Sequence, residues 1–149
     1  ISNAIFRFPK KTDYRVVPWV TFSDPELARV GITEQQAKDQ GLDVDVLSFP
    51  MNRIDRALAD SESTGIMKLV SHREKILGAT ILGSHAGELI HEISLAMQKK
   101  LKLKDISATI HAYPTLAQVH RRTANSYYAD KLFSPRTRKL VGWINRILP

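Results

Sequence analysis

Two proton-handling side chains stand two residues apart in His111-Ala112-Tyr113-Pro114-Thr115, and Gln118 follows three positions after the threonine. An imidazole titrates near pH 6.5, so it can take up a proton and return it at neutral pH. A phenol of pKa near 10 is only about one part in a thousand ionised at pH 7. Gln118 can orient a neighbour, but it supplies no negative charge to stabilise a protonated base. Tyr113 is therefore a poor general base and a better hydrogen-bond donor or transient ligand.

Other polar clusters read more plainly. His85, Glu88, His91 and Glu92 fall at i, i+3, i+6 and i+7, a loosely ligand-like spacing, but they are read as surface or interface residues and no metal site is assigned. His72 falls in an expected hairpin loop and His120 beside Arg121-Arg122, so both are expected to be solvated. Gly83-Ser84-His85-Ala86-Gly87 lacks the Lys-Ser/Thr ending and the spacing of a phosphate loop. The chain has no cysteine, which excludes disulfides, a thiolate nucleophile and Cys-based metal sites within it.

The 149 residues are 43% hydrophobic and 25% charged, an ordinary globular composition, with no apolar run long enough to read as a transmembrane helix. The net charge of +7 is lopsided: residues 99–149 hold 11 Lys/Arg against 2 Asp/Glu, whereas residues 1–98 hold 11 against 13. A chain opening on Ile1 without a signal peptide is expected to be a piece of a longer protein, cytoplasmic or membrane-associated.

To position the motif, the pattern predicts mixed strands and helices without strict alternation: an α+β fold, a largely antiparallel sheet flanked by helices. Residues 1–15 read as a lead-in. Strands are expected over 16–22, with Pro18 near an edge or start, and over 27–30, closed by Gly31. Thr33 and Gln36 have capping-box spacing, and Gly41 ends that helix. Alternation predicts a strand at 43–49, and two apolar runs, 65–70 and 76–83, predict a hairpin with a longer loop over 71–75. In the helix over 86–100, Leu89, Ile90, Ile93, Ala96 and Met97 share one face. Shorter helical signals cover 104–108 and 115–128. Ser134-Pro135 then opens a basic amphipathic helix over 134–148, with Trp143 near the edge of its apolar face. Docking on its own domain or on a second copy, or peripheral contact with an anionic membrane, are its expected uses. Nothing in it marks a nucleic-acid platform.

Several blocks together carry a family resemblance. Val17-Pro18-Trp19-Val20-Thr21-Phe22-Ser23-Asp24-Pro25-Glu26, Gly65-Ile66-Met67-Lys68-Leu69-Val70, Gly83-Ser84-His85-Ala86-Gly87-Glu88-Leu89-Ile90 and the His111 to Thr115 motif resemble, in order, the C-terminal dimerisation domain of pyridine nucleotide-disulfide oxidoreductases. The likeness spans 16–122 and leaves 123–149 as a basic helical extension. In that family the motif reads His-x-His-Pro-Thr with a following Glu, so Tyr113 and Gln118 replace the proton-handling pair. Mercuric reductase-like members carry Tyr at the same place, and the chain is nearest to them in motif. It differs from them in lacking a C-terminal cysteine pair and in carrying Gln118.

The resemblance implies upstream FAD and NAD(P)H domains with a redox Cys pair, no cofactor bound by this chain alone, and a homodimer through this domain. It implies that Tyr113 reaches the other subunit's Cys pair as the catalytic residue, with Gln118 orienting it. It also implies that His111, Pro114 and Thr115 form a cofactor-facing turn, with a cis Tyr113-Pro114 bond. Two other uses stay open: a dihydrolipoamide dehydrogenase-like enzyme of altered mechanism, or a non-catalytic module binding a membrane or partner through its basic C-terminus.

Overall fold

Five short strands pair antiparallel throughout, in the order β1-β2-β5-β4-β3. They are β1 (Trp19–Thr21), β2 (Glu26–Gly31), β3 (Asp45–Pro50), β4 (Ile66–His72) and β5 (Lys75–Gly83). This is the α+β architecture that the sequence predicts. The computed structural model describes residues 14–132 and, past them, Thr137, Val141 and Trp143. Most of the lead-in and all but those three positions of the helix expected over 134–148 lie outside the described residues, and so does the membrane contact expected of that helix.

Register explains which residues are inside. Ala28 pairs with Ile81, Val30 and Leu69 with Ala79, and Met67 with Ile81 and Phe49, so these side chains share one face of the pleat. Two helices cover that face. α3 (Ala86–Gln98) lies on β2 and β5, and α5 (Gln118–Leu132) lies on β3 and β4. Leu89, Ile90, Ile93 and Ala96 of α3 and Val119 and Ala124 of α5 close the core. Each fully buried Ile or Leu contributes about 1.5–3 kcal/mol. α4 (Leu103–Ala108) packs against α5 with Leu103 and Ile106 buried.

α1 (Glu34–Asp39) begins with the predicted capping box: Thr33 Oγ1 accepts from the Gln36 amide at 3.1 Å, and Gln36 Oε1 accepts from the Thr33 amide at 2.9 Å. It lies beside the other sheet face, where Glu34 pairs with Lys68 of β4 at 3.3 Å, an exposed contact worth little.

Three local expectations change. The strand expected over 16–22 shortens to Trp19–Thr21, because Tyr14–Val16 forms a single 3-10 turn. The β4–β5 loop is a tight two-residue turn, since Arg73 (φ 49) and Glu74 (φ 70) both take left-handed backbone; the usual Asn-Gly signal for such a turn is missing. His72 thus ends a strand rather than sitting solvated in a loop, and its Nδ1 lies 2.6 Å from the Asp43 carbonyl oxygen. Residues 51–59, given no element from sequence, form a 3-10 turn (Met51–Arg53) and α2 (Asp55–Ala59). Met51, Ile54 and Ala57, spaced by three, anchor this piece in the core.

Candidate functional site

The loop between α4 and α5 carries the motif at its tip. Its Tyr113-Pro114 bond is cis, and the Thr115 hydroxyl donates to the Ala112 carbonyl at 2.7 Å, closing the loop on itself. The Tyr113 side chain projects outward, 69% exposed, and its hydroxyl donates to Asp55 Oδ2 at 2.9 Å. The expected orienting partner was Gln118. Among the described residues that contact is absent: Gln118 opens α5, beside Arg121, Arg122 and Asn125. Asp55 escapes a sequence reading because α2 is too short to show a period and lies 58 residues from Tyr113.

The Asp55 hydrogen bond, and then its negative charge, hold the Tyr113 phenol above its ordinary pKa, with Arg122 opposing weakly. Tyr113 is accordingly an O–H donor at neutral pH and still less a base than a free phenol. Replacing Asp55 with Asn is expected to lower the pKa of one of the four tyrosines, because the charge favouring the protonated form is gone. Absorbance at 295 nm against pH, compared with Tyr113→Phe, reads that shift. A curve identical to that of the parent chain would mean that the contact is not made in solution.

Beneath the loop, His111 turns inward with its side chain only 6% exposed. Its Nδ1 lies 3.2 Å from the Thr109 carbonyl, and its Nε2 lies 3.1 and 3.2 Å from the two Glu92 oxygens. From α5, His120 places Nδ1 2.8 Å from Glu92 Oε2. Glu92 thus ties α3 to both the motif loop and α5. Burial pushes its carboxyl up, but the close approach of His120 and the charges of His120 and His111 outweigh that, leaving it below the usual carboxylate range.

His120 is therefore a core residue, 1% exposed, and not the solvated side chain expected next to two arginines. The helical period held the signal: Val119, His120, Thr123 and Ala124 form the buried stripe, and Arg121, Arg122 and Asn125 the exposed one. His85 and His91 are exposed, as expected. At the start of α3 the Gly87 amide donates to Glu26 Oε2 at 2.9 Å, so the chain's own carboxylate occupies the place an anion would take. A cavity of ≈ 460 Å³ bounded by Trp19, Arg29, Ile32 and Met97 shares no residue with the motif.

Comparisons with known proteins bear on the family and the fold. Residues 17–124 match the family described as pyridine nucleotide-disulphide oxidoreductase, dimerisation domain. The chain is 44% identical over 125 residues to dihydrolipoyl dehydrogenase of Geobacillus stearothermophilus, covering 83% of the chain and 27% of that protein. It is 40% identical over 131 residues to mercuric reductase of Lysinibacillus sphaericus, covering 87% and 24%. Among solved structures, the HOCl-induced flavoprotein disulfide reductase RclA of Escherichia coli superposes with a TM-score of 0.77 at 26% identity, over 83% of the chain and 29% of that structure. LpdA of Mycobacterium tuberculosis superposes with a TM-score of 0.79 at 22% identity, over 85% and 28%, a likeness of fold alone. The chain thus spans about a quarter of the length of the relatives it matches.

Proposed function

The chain belongs to the pyridine nucleotide-disulphide oxidoreductase dimerisation domains, and on that footing we propose that it completes, across a homodimer interface, the active site of a larger FAD- and NAD(P)H-dependent oxidoreductase of mercuric reductase-like type. The observation that carries this is Tyr113 itself: a phenol at a loop tip, exposed, with its hydroxyl fixed by Asp55 and its loop propped from below by His111. A side chain held rigid yet left uncovered suits reaching into a neighbouring subunit, where placement to a fraction of an ångström governs rate. Ile110, Leu95 and Leu58, exposed by 89, 56 and 53%, stand on or beside the elements that hold it, and a second subunit covering them would bury apolar surface.

In this reading Tyr113 guides or transiently holds an electron-accepting species at the other subunit's Cys pair, Pro114 and Thr115 shape the turn facing the flavin, and Gln118 lies at the rim. The upstream domains supply FAD, NAD(P)H and the cysteines. The raised Tyr113 pKa supports an acceptor that needs no base here, such as a soft metal ion delivered to thiolates. The 44% identity to a dihydrolipoyl dehydrogenase supports the second reading, a lipoamide-type enzyme of altered mechanism.

The test uses the full-length protein. Sedimentation at micromolar concentration is expected to find a dimer, and NAD(P)H oxidation is expected to run faster with Hg(II) buffered by excess thiol than with lipoamide. The reverse preference would favour the second reading, and a fully active monomer would sink the shared-site reading.

A further inference from the structure

Glu92, His111 and His120 reach one point from three separate segments: α3, the motif loop and α5. One nitrogen or carboxylate oxygen from each lies within 4.8 Å of the others. Both ring nitrogens of His111 face acceptors, the Thr109 carbonyl on one side and the Glu92 carboxylate on the other, yet a neutral imidazole has only one N–H to give. His120 is buried. Its Nδ1 sits close to Glu92 Oε2 but off the axis of a hydrogen bond, and its Nε2 meets no hydrogen-bond partner among the described residues. The cluster therefore brings a carboxylate and two imidazoles to one buried place, where the ring nitrogens of His120 have no hydrogen-bond partner among the described residues.

We propose that Glu92, His111 and His120 form a binding site for a zinc-class divalent cation, ligated by a Glu92 carboxylate oxygen, His111 Nε2 and His120 Nδ1. Two imidazoles and a carboxylate are donors that such ions take readily. With the ion on Nε2, the one proton of His111 moves to Nδ1 and donates to Thr109, the outer hydrogen bond that orients metal-bound histidines. Tetrahedral zinc with bonds of about 2.0–2.1 Å spaces its donors by roughly 3.3 Å, so the separations of 2.8–3.2 Å around Glu92 must open slightly and the two histidine nitrogens, within 4.8 Å of one another, draw together around the ion. Glu92 is 31% exposed, which leaves an approach for the ion and a place for water in the fourth position. The ion staples α3 and α5 to the loop bearing Tyr113. This site stands apart from the redox reading, and either can fail alone.

The experiment titrates the 149-residue chain, stripped with chelator and folded by circular dichroism, with Co(II). The chain has no cysteine, so visible cobalt bands cannot come from thiolates. One equivalent is expected to bind with d–d absorbance, to be displaced by Zn(II), and to raise Tm. Glu92→Gln, which keeps shape and volume, is expected to weaken binding by about 100-fold or more and to abolish the Tm rise; it carries the test if His120→Ala fails to fold. His85→Gln with His91→Gln, at exposed positions, should leave binding unchanged. The absence of saturable 1:1 binding up to millimolar metal would overturn the proposal, and so would a Glu92→Gln chain that binds like the parent or a loss of binding that follows His85 and His91.

Discussion

Gly78→Ala is expected to lower stability by about 3–5 kcal/mol, among the largest effects of any single methyl group in this fold. A Cβ at Gly78 would lie 2.0 Å from the Ile32 carbonyl oxygen, 2.7 Å from its nitrogen and 2.9 Å from its carbonyl carbon. All three are backbone atoms, and they cannot swing away as a side-chain tip would. Ile32 is also held there by its own amide, which donates to the Leu77 carbonyl at 3.1 Å. Relieving the clash means separating the ends of β2 and β5, where Gly31 and Gly78 are register partners. Gly41 offers the contrast. Its φ is +65°, but an added Cβ would meet nothing within 4 Å, so Gly41→Ala should cost only the left-handed backbone penalty of about 1–2 kcal/mol. Urea unfolding of the two variants separates close approach from conformational preference. With a slope of about 1–3 kcal/mol per molar, the Gly78 variant should lose a molar or more in midpoint. A loss at Gly78 no greater than that at Gly41 would mean that the Ile32 backbone does not approach Gly78 this closely.

Where side-chain pattern and local chemistry agree, the elements are legible without coordinates. Thr33 with Gln36 marks the start of α1, and Leu89, Ile90, Ile93 and Ala96 trace the inner face of α3, whereas the alternation over 43–49 finds the strand but not its face: Leu47 and Phe49, not the expected Val44 and Val46, turn to the core. The failures have a common cause, which is that tertiary contacts settled what local signals left open. Arg73 and Glu74 accept left-handed backbone because β4 and β5 dictate a two-residue turn. Residues 51–59 are shaped by burying Met51, Ile54 and Ala57, too short a run to show a period. The motif itself is visible in sequence, but its supports are not: Asp55 and Glu92 lie 58 and 19 residues from the side chains they hold. Long-range polar partners leave no local trace, so sequence could locate Tyr113 and His111 yet could name neither support.

Tyr113→Phe in the full-length protein is expected to lower kcat by about 100-fold, the low end of what one positioned proton donor contributes, while leaving stability nearly untouched. The two effects separate because the hydroxyl stands outside the core: the ring is 69% exposed, and its one described polar contact is with Asp55 on the surface. Asp55→Asn should fall between parent and Tyr113→Phe, since the hydroxyl survives but loses the carboxylate that aims it. The split between kinetic constants identifies the step. A fall in kcat and kcat/KM together means that the hydroxyl acts in the transition state, whereas a rise in KM alone means that it only helps to hold the acceptor. Tyr113→His tests the same geometry from the other direction. An imidazole there reaches less far than the phenol and would not bond Asp55 in place, but the nearby Asp55 carboxylate would supply the negative charge that Gln118 cannot, and reduction of a dithiol-type substrate should rise. If Tyr113→Phe turns over at the parental rate and Tyr113→His gains nothing with lipoamide, the loop tip is packing surface and the proposed shared site falls.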